Sequence, residues 1–436
     1  MDIPQGYKQT ELGIIPEDWE IVNLGSVAKI NGRIGFRGYT TADLVGVGQG
    51  AYTIGGKHIT NMVLDLHDAE YISWQKYYES PEIMVRKGDI VFAQRGTLGK
   101  SAFIVNDIGP ATINPSLVLI NKIKCDNEYL SYWLQCDKIV EYICSINSQT
   151  SIPMITQNQI EHIPVVLSRI KAEQQAIAEA LGDIDGLIAT LDKKIAKKRL
   201  IKQGAMSQLL TGKKRLPGFS DPWVEKKLGE IGYTYSGLTG KSKDDFGQGN
   251  AKYITFLNVL ANPILKENLF GSITIRENEQ QNKVQFGDLF FNTSSETPED
   301  VGTCAVLLSY HEELYLNSFC FGYRLTDDNV LGLYLAYYFR SRLGRQLMTS
   351  LAQGATRYNL SKELFNASRI ILPETKDEQI AIATMLNDMD KEIDDLEAQR
   401  DKYRLLKSGM MQKLLTGQIR LTKPLTNVVP LVPGDS

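Results

Sequence analysis

At 436 residues, with 43% hydrophobic and 23% charged residues, the chain has the composition of a soluble globular protein large enough for two or three cored domains. A formal net charge of −3 argues against a free-standing nucleic-acid binder, which carries a basic excess. No apolar run approaches the roughly 18–20 residues of a membrane span, and the N-terminus MDIPQGYKQTELGIIPEDW lacks the basic and apolar regions of a signal peptide, so no membrane and a cytoplasmic location are expected.

In chain order, residues 1–165 carry short β-branched and aromatic runs between glycine-rich turns (AYTIGG, GDIVFAQRG, SLVLINK) and close on the helical stretch EYLSYWLQCDKIVEYICSI. Residues 166–216 read as one long helix. Its apolar rhythm of Ile177, Leu181, Ile184, Ile188, Leu191 and Ile195 is a coiled-coil seam. Residues 217–372 repeat the strand-rich pattern (KYITFLNV, GDLFFNTS, FCFGYRL) and end on LGLYLAYYFRSRLGRQLMTSL. Residues 373–421 give a second long helix, with Ile382, Leu386, Met389, Ile393, Leu396, Tyr403 and Leu406 on its seam. Gly212 and Gly417, each after Leu-Leu-Thr, stand where a glycine cap ends a helix. The Pro-rich tail 422–436 is expected to be disordered.

The helical regions are two copies of one sequence. Lys171–Leu216 and Lys376–Leu421 align without a gap, half of their positions identical, at a period of 205 residues. That is too long for a solenoid repeat and marks a duplicated domain. The strand-rich units share only landmarks: Trp19 with Trp223, Gly48-Gln49-Gly50 with Gly247-Gln248-Gly249, Gly88-Asp89 with Gly287-Asp288, Tyr129-Leu130 with Tyr334-Leu335. One part of the unit stayed similar while its loops diverged, as suits one fixed task and one variable task, each done twice. The expected fold is α+β: two α/β domains joined by two long helices paired antiparallel within the chain, with an internal pseudo-two-fold. Packing of each seam on its own domain, or pairing between chains, remains open at this stage.

Chemistry is sparse. Five cysteines form no C-x-x-C pair and read as buried thiols, and four scattered histidines make no metal site. GLTGKS at Gly237–Ser242 lacks the first glycine of a Walker A loop, because Tyr235 stands there. It still offers glycines and the charges of Lys241 and Lys243 for phosphate contact. The adenosyl-binding and N-P-P-[YF] strings of a self-contained methyltransferase are missing.

What remains is a set of polar loops at equivalent places in both units. The first unit offers Arg33, Arg37, Lys57, Arg95, Thr97, Lys100, Thr150 and Ser151. The second offers Lys241, Lys243, Asn292, Thr293, Ser294, Arg357, Tyr358 and Asn359. These side-chain types hold phosphates and read base edges. Singly each loop is ordinary polar surface; their recurrence at matching positions of a duplicate makes them candidate DNA contacts.

The whole layout resembles the specificity subunit of type I restriction-modification systems, from about Gly6 to Leu421. The strings that carry the resemblance are GYKQTELGIIPEDWEIVNLG at the front, EQ-x-x-I-A entering each long helix, and KQGAMSQLLTG or KSGMMQKLLTG leaving it. The resemblance implies two target recognition domains, each reading half of a bipartite site in double-stranded DNA, with the coiled coil setting the spacer between halves. It implies two methyltransferase subunits and restriction (motor-nuclease) subunits as partners. S-adenosylmethionine, ATP and Mg2+ then belong to those partners, and this chain is expected to hold no cofactor, metal or catalytic residue. Leu200, Lys202, Met206 and Leu209, matched by Leu405, Lys407, Met411 and Leu414, are candidates for partner docking; closing the helix core is the alternative. A structural scaffold without a DNA role, a self-contained enzyme, and a related system without a motor are the rival readings.

Overall fold

The computed structural model describes residues 3–60, 62–147 and 153–421. The expected tail 422–436 lies outside them. Two continuous helices of 39 residues, Lys171–Leu209 and Lys376–Leu414, run through a chain that divides into two compact units. Unit 1 comprises residues 1–190 with 399 onward, and unit 2 comprises 191–398. Each unit thus holds a strand-rich domain, the start of the long helix that follows it, and the end of the other long helix.

In unit 1 an antiparallel sheet has the strand order Ser101–Phe103, Ile90–Ala93, Leu117–Asn121, Lys29–Gly32. A second sheet pairs Gly50–Ile54 antiparallel with Glu70–Ser73 and parallel with Ala111–Ile113. Unit 2 repeats both. Cys304–Val306, Leu289–Asn292, Cys320–Leu325 and Gly232–Ser236 make the first sheet. Phe246–Ile254 pairs antiparallel with Phe270–Ile273 and parallel with Leu314–Leu316 in the second. The helical stretch that closes each strand-rich region is made of two helices. Residues 127–133 and 137–145 are separate helices, and so are 332–340 and 342–351. In the second case Ser341 is the reason: its hydroxyl accepts from the Gly344 amide and starts a new helix.

The seam divides by depth. Ile177 and Leu181 belong to the core of unit 1, packed with Trp19, Trp133 and Tyr129. Ile382 and Leu386 belong to the core of unit 2, with Tyr334 and Phe365. Between those cores the seam is helix against helix. In unit 2, Leu191, Ile195, Ile393 and Leu396 are buried there. Lys198 lies 2.5 Å from Glu392, Arg199 lies 2.5 Å from Glu397, and Lys202 pairs with Asp390. From Arg199 with Glu397 to Lys202 with Asp390 one helix ascends as the other descends, so the pairing is antiparallel. Lys198, Arg199 and Lys202 of the first helix are thus neutralised by acidic residues of the second. Leu406 departs from the expected seam and is exposed. Gly212 and Gly417 adopt φ of +68° and +69° and cap the helices as expected.

Both helix exits fold back into a core. Leu209 and Leu210 join that of unit 2, and Met411, Leu414 and Leu415 join that of unit 1. Arg420 then closes unit 1. Its guanidinium donates to the buried Glu173 carboxylate at 2.6 and 3.0 Å and to Asp18 at 2.9 and 2.8 Å. Glu173 also accepts from Ser168 Oγ at 2.6 Å and from Trp19 Nε1 at 3.2 Å. In unit 2, Arg215 grips the buried Glu378 at 2.5 and 2.6 Å. Burial pushes the Glu173 carboxyl up, but the bonds from Arg420, Ser168 and Trp19 outweigh it and hold it below the usual glutamate value. With the folded pKa depressed, this clamp stabilises the fold above the unfolded value and is lost as pH falls through the folded one. Arg420→Ala strands the Glu173 charge in the core. It is expected to destabilise unit 1 by about 3–5 kcal/mol, read as a lower urea midpoint, and Arg215→Ala is expected to do the same to unit 2.

Candidate nucleic-acid interface

The strand registers decide where the polar loops emerge. In unit 1, Ala93 pairs with Leu117 and Val118 with Gly32, so Arg33, Gln94 and Ser116 leave the first sheet at one edge. The parallel pairing of Ile54 with Ile113, and an Asn114 amide bond to the Ile54 carbonyl at 2.8 Å, bring Gly55–His58 to the same edge. Arg95 then bridges antiparallel to Met154, and the Gly96 amide donates to Pro153 O at 3.0 Å. In unit 2 the edge is built the same way. Asn292 pairs with Cys320 and Ser236 with Phe321, and Ser294 and Ser295 pair with Asn359 and Tyr358. The structure thus joins QRGTLGK to Pro153 and Met154, and NTSSETPED to GATRYNL. Chain segments about 60 residues apart in sequence are juxtaposed in each unit.

Several candidates are structural. Arg33 is buried; it donates to Ile113 O at 3.1 Å and Thr112 Oγ1 at 2.9 Å and lies over the Tyr39 ring. Lys241 is sequestered in an ion pair with Glu279 and donates to Thr274 O at 2.7 Å. Asn292 is fully buried and ties its own loop, donating to Ser294 O and Asp300 O and accepting from the Thr303 amide. These three side chains hold loops in shape instead of meeting a ligand, because burial leaves their polar atoms no partner but the protein. Arg37 donates to Glu79 O and faces Glu82 at 3.5 Å, Lys57 lies 3.4 Å from Asp68, and Lys100 reaches Gly56 O at 3.4 Å. Thr293 is half-buried, its amide bonded to Phe319 O. Arg95, Thr97, Lys243, Arg357 and Asn359 are exposed, with Tyr358 half-buried and Ser294 Oγ accepting from Arg357 at 3.3 Å. Thr150 and Ser151 lie outside the described residues.

The docking candidates separate as well. Leu209, Met411 and Leu414 are buried in cores, and Met206 is half-buried against that of unit 2. Lys202 and Lys407 are engaged with Asp390 and Asp185. Leu209, Met411 and Leu414 close the cores and present no docking surface, Lys407 is held in its ion pair, and Met206 and Lys202 stay partly accessible beside the helix seam. Leu200 and Leu405 are 68% and 76% exposed, with Ile201 and Leu406 exposed beside them. Among the thiols, Cys144 departs from expectation in being exposed.

Sequence reading missed His58, the residue that shapes the GGKHIT loop. It is buried, and its Nδ1 accepts from the Gly55 amide at 2.9 Å, which assigns the proton to Nε2, 3.5 Å from Asp68. The signal available was its position between a glycine pair and a β-branched run. Burial, and then the charge of Lys57, lower its pKa against the pull of Asp68. The folded unit therefore prefers neutral imidazole, and its advantage is full above the ordinary value of about 6.5 and shrinks as pH falls below it. Protonation turns Nδ1 into a donor and ejects the Gly55 amide. Hydrogen-exchange protection at Gly55, corrected for intrinsic pH dependence, is expected to fall between pH 7 and pH 5; constant protection would refute the assignment.

Comparison with known proteins agrees with this architecture. A family described as the type I restriction modification DNA specificity domain matches twice, over residues 16–198 and 220–403. The type I restriction enzyme MjaVIII specificity subunit of Methanocaldococcus jannaschii is 24% identical, covering 96% of this chain and 96% of its own. A second chain of that organism, which bears the specificity-subunit name MjaX, is 25% identical over 96% and 97%. The crystal structure of the type I restriction-modification S subunit from M. genitalium shares the fold at 14% identity, TM-score 0.56, over 95% of this chain and 98% of that one. A chain from a study of assembly and conformational transition of the type I system does so at 16% identity, TM-score 0.57, over 93% and 99%. With both repeats matched and the two units built alike, the chain belongs to the type I restriction-modification DNA specificity family.

Proposed function

We propose that each unit reads one half of a bipartite, asymmetric DNA site, and that the two long helices set the number of unread base pairs between the halves. The observation that carries this reading is the recurrence of one frame with different side chains. The same sheet edge presents Arg95 and Thr97 in unit 1 and Ser294, Arg357 and Asn359 in unit 2. Arginine favours guanine O6 and N7, while amides and hydroxyls suit adenine and mixed edges, so the two halves differ in sequence. Helices of 39 residues are about 58 Å long at ~1.5 Å per residue. That spans roughly one and a half turns of duplex at ~34–36 Å per turn.

On this reading the chain is non-catalytic and works in the cytoplasm. Two methyltransferase subunits bind its helical regions, carry the S-adenosylmethionine, and flip a target adenine from the duplex for N6 methylation. Restriction subunits bring the ATP- and Mg2+-dependent motor and nuclease. Partner subunits also contribute phosphate contacts, which accounts for a net charge of −3 in a DNA-reading chain. The exposed pairs Leu200-Ile201 and Leu405-Leu406, at matching places on the two helices, support docking there.

Modified-base mapping of cells carrying this chain with its methyltransferase tests the proposal. The expected result is a new N6-methyladenine motif in two short blocks around a fixed gap; its absence, with both proteins expressed and co-purifying, would sink the reading. Arg95→Ala is expected to weaken specific binding by about 1–3 kcal/mol and to relax one half-site only. Leu200→Glu with Leu405→Glu is expected to reduce methyltransferase capture at unchanged thermal stability, as read by pull-down and calorimetry.

A further inference from the structure

Each unit contains the same polar triad between its domain and the long helices. In unit 1, Asp185 accepts from Tyr132 OH at 2.8 Å and lies 2.7 Å from Lys407 Nζ, which sits 5.2 Å from the centre of the Tyr132 ring. In unit 2, Asp390 accepts from Tyr337 OH at 2.8 Å and pairs with Lys202, itself 5.3 Å from the Tyr337 ring centre. What lies over the triad differs. In unit 1, Met62 packs against the core and places Sδ 3.3 Å from Lys407 Nζ. Met62 is one of two non-glycine residues with positive φ among the described residues, at +69°. A left-handed backbone at such a residue costs roughly 1–2 kcal/mol, so the surrounding fold sustains the strain that presents this side chain.

Counting along the chain from the matched strands gives the counterpart of Met62. Ile54 pairs with Ile113 as Ile254 pairs with Leu316, and counting on from each strand matches Met62 with Asn262. Asn262 has an extended backbone and turns inward, its Nδ2 3.1 Å from Asn258 Oδ1, while its carbonyl accepts from Arg340 at 2.8 Å. The place filled by a methionine in unit 1 is therefore open in unit 2. A cavity of about 530 Å3 stands there, lined by Lys202, Met206, Ala261, Ile264, Tyr337 and Ile393 among others. Arg199, Lys266 and Lys391 at its rim are paired with Glu397, Asp394 and Asp388.

We infer that this cavity is a docking hole for a short segment of the methyltransferase subunit. The segment inserts a methionine or aliphatic side chain where unit 1 supplies its own Met62. The inference rests on the partner reading above and deepens it. Met206, Ala261, Pro263, Ile264 and Ile393 give the cavity an apolar part beside polar and charged residues, which suits an apolar anchor with polar flanks, and the volume is within the ~300–1,000 Å3 of binding pockets. The two docking places of the duplicated chain are then unequal: one is self-plugged and one needs the partner to complete it.

Native mass spectrometry of the full chain co-expressed with its methyltransferase subunit tests this. Ala261→Trp and Gln203→Trp fill the cavity from two different elements, and both positions are exposed. Each variant, once shown to melt at the wild-type temperature, is expected to lose one of two methyltransferase copies or to bind it at least tenfold more weakly. Retention of both copies at wild-type affinity by the folded variants overturns the docking hole alone. Loss of both copies together overturns the inequality of the two sites. A wild-type chain that captures no methyltransferase overturns this inference and the partner reading with it.

Discussion

A carboxylate buried at the first turn of each long helix requires a cation, and the cation arrives from the end of the other long helix. Glu173 is held by Arg420 and Glu378 by Arg215. Neither glutamate can stay charged in a core without its arginine, so neither unit closes on its own repeat alone. This constraint explains why unit 1 is assembled from both ends of the chain. The exit leucines follow the arginines into the cores, and the glycine caps at Gly212 and Gly417 turn the chain back to reach them. At Gly417 a side chain would collide with Pro16, so the cap doubles as a close approach to the domain.

On that frame the strand-rich domains are free to differ at one edge. Paired strands carry the loops, and the loops carry the side chains, so a change of side chain leaves the frame intact. Many polar residues at the edge hold it: Arg33 satisfies the Ile113 carbonyl of a neighbouring strand, and Asn292 and His58 satisfy backbone groups of their own loops. The exposed residues stand on those supports. A rigid inner set with a variable outer set is how a surface keeps its geometry while its contacts are exchanged.

Residue type announced capacity without announcing partner. Arg33 and Arg95 look alike in sequence, yet one fills its bonds inside the protein and the other faces solvent. Lys241 sat in a string resembling a phosphate loop, but Glu279, far along the chain, claims it. The exit motifs KQGAMSQLLTG and KSGMMQKLLTG read equally well as docking surface or core, and burial of Leu209, Met411 and Leu414 chose the core. Long apolar runs concealed the helix break at Ser341, since periodicity continues across a cap.

The sequence by itself determined the duplication, the two long helices with their glycine caps, the alternation of strand-rich and helical regions, and the family. All of these rest on local periodicity or on recurrence along the chain, which need no knowledge of contacts. Only the tertiary structure decided which repeat closes which unit, which basic residues remain exposed at the sheet edge, and that Met62 covers in unit 1 what Asn262 leaves open in unit 2. Those outcomes depend on strand register and on pairs such as Glu173 with Arg420, 247 residues apart. Such encounters are set by burial and by satisfaction of polar groups in three dimensions, and no local pattern encodes them.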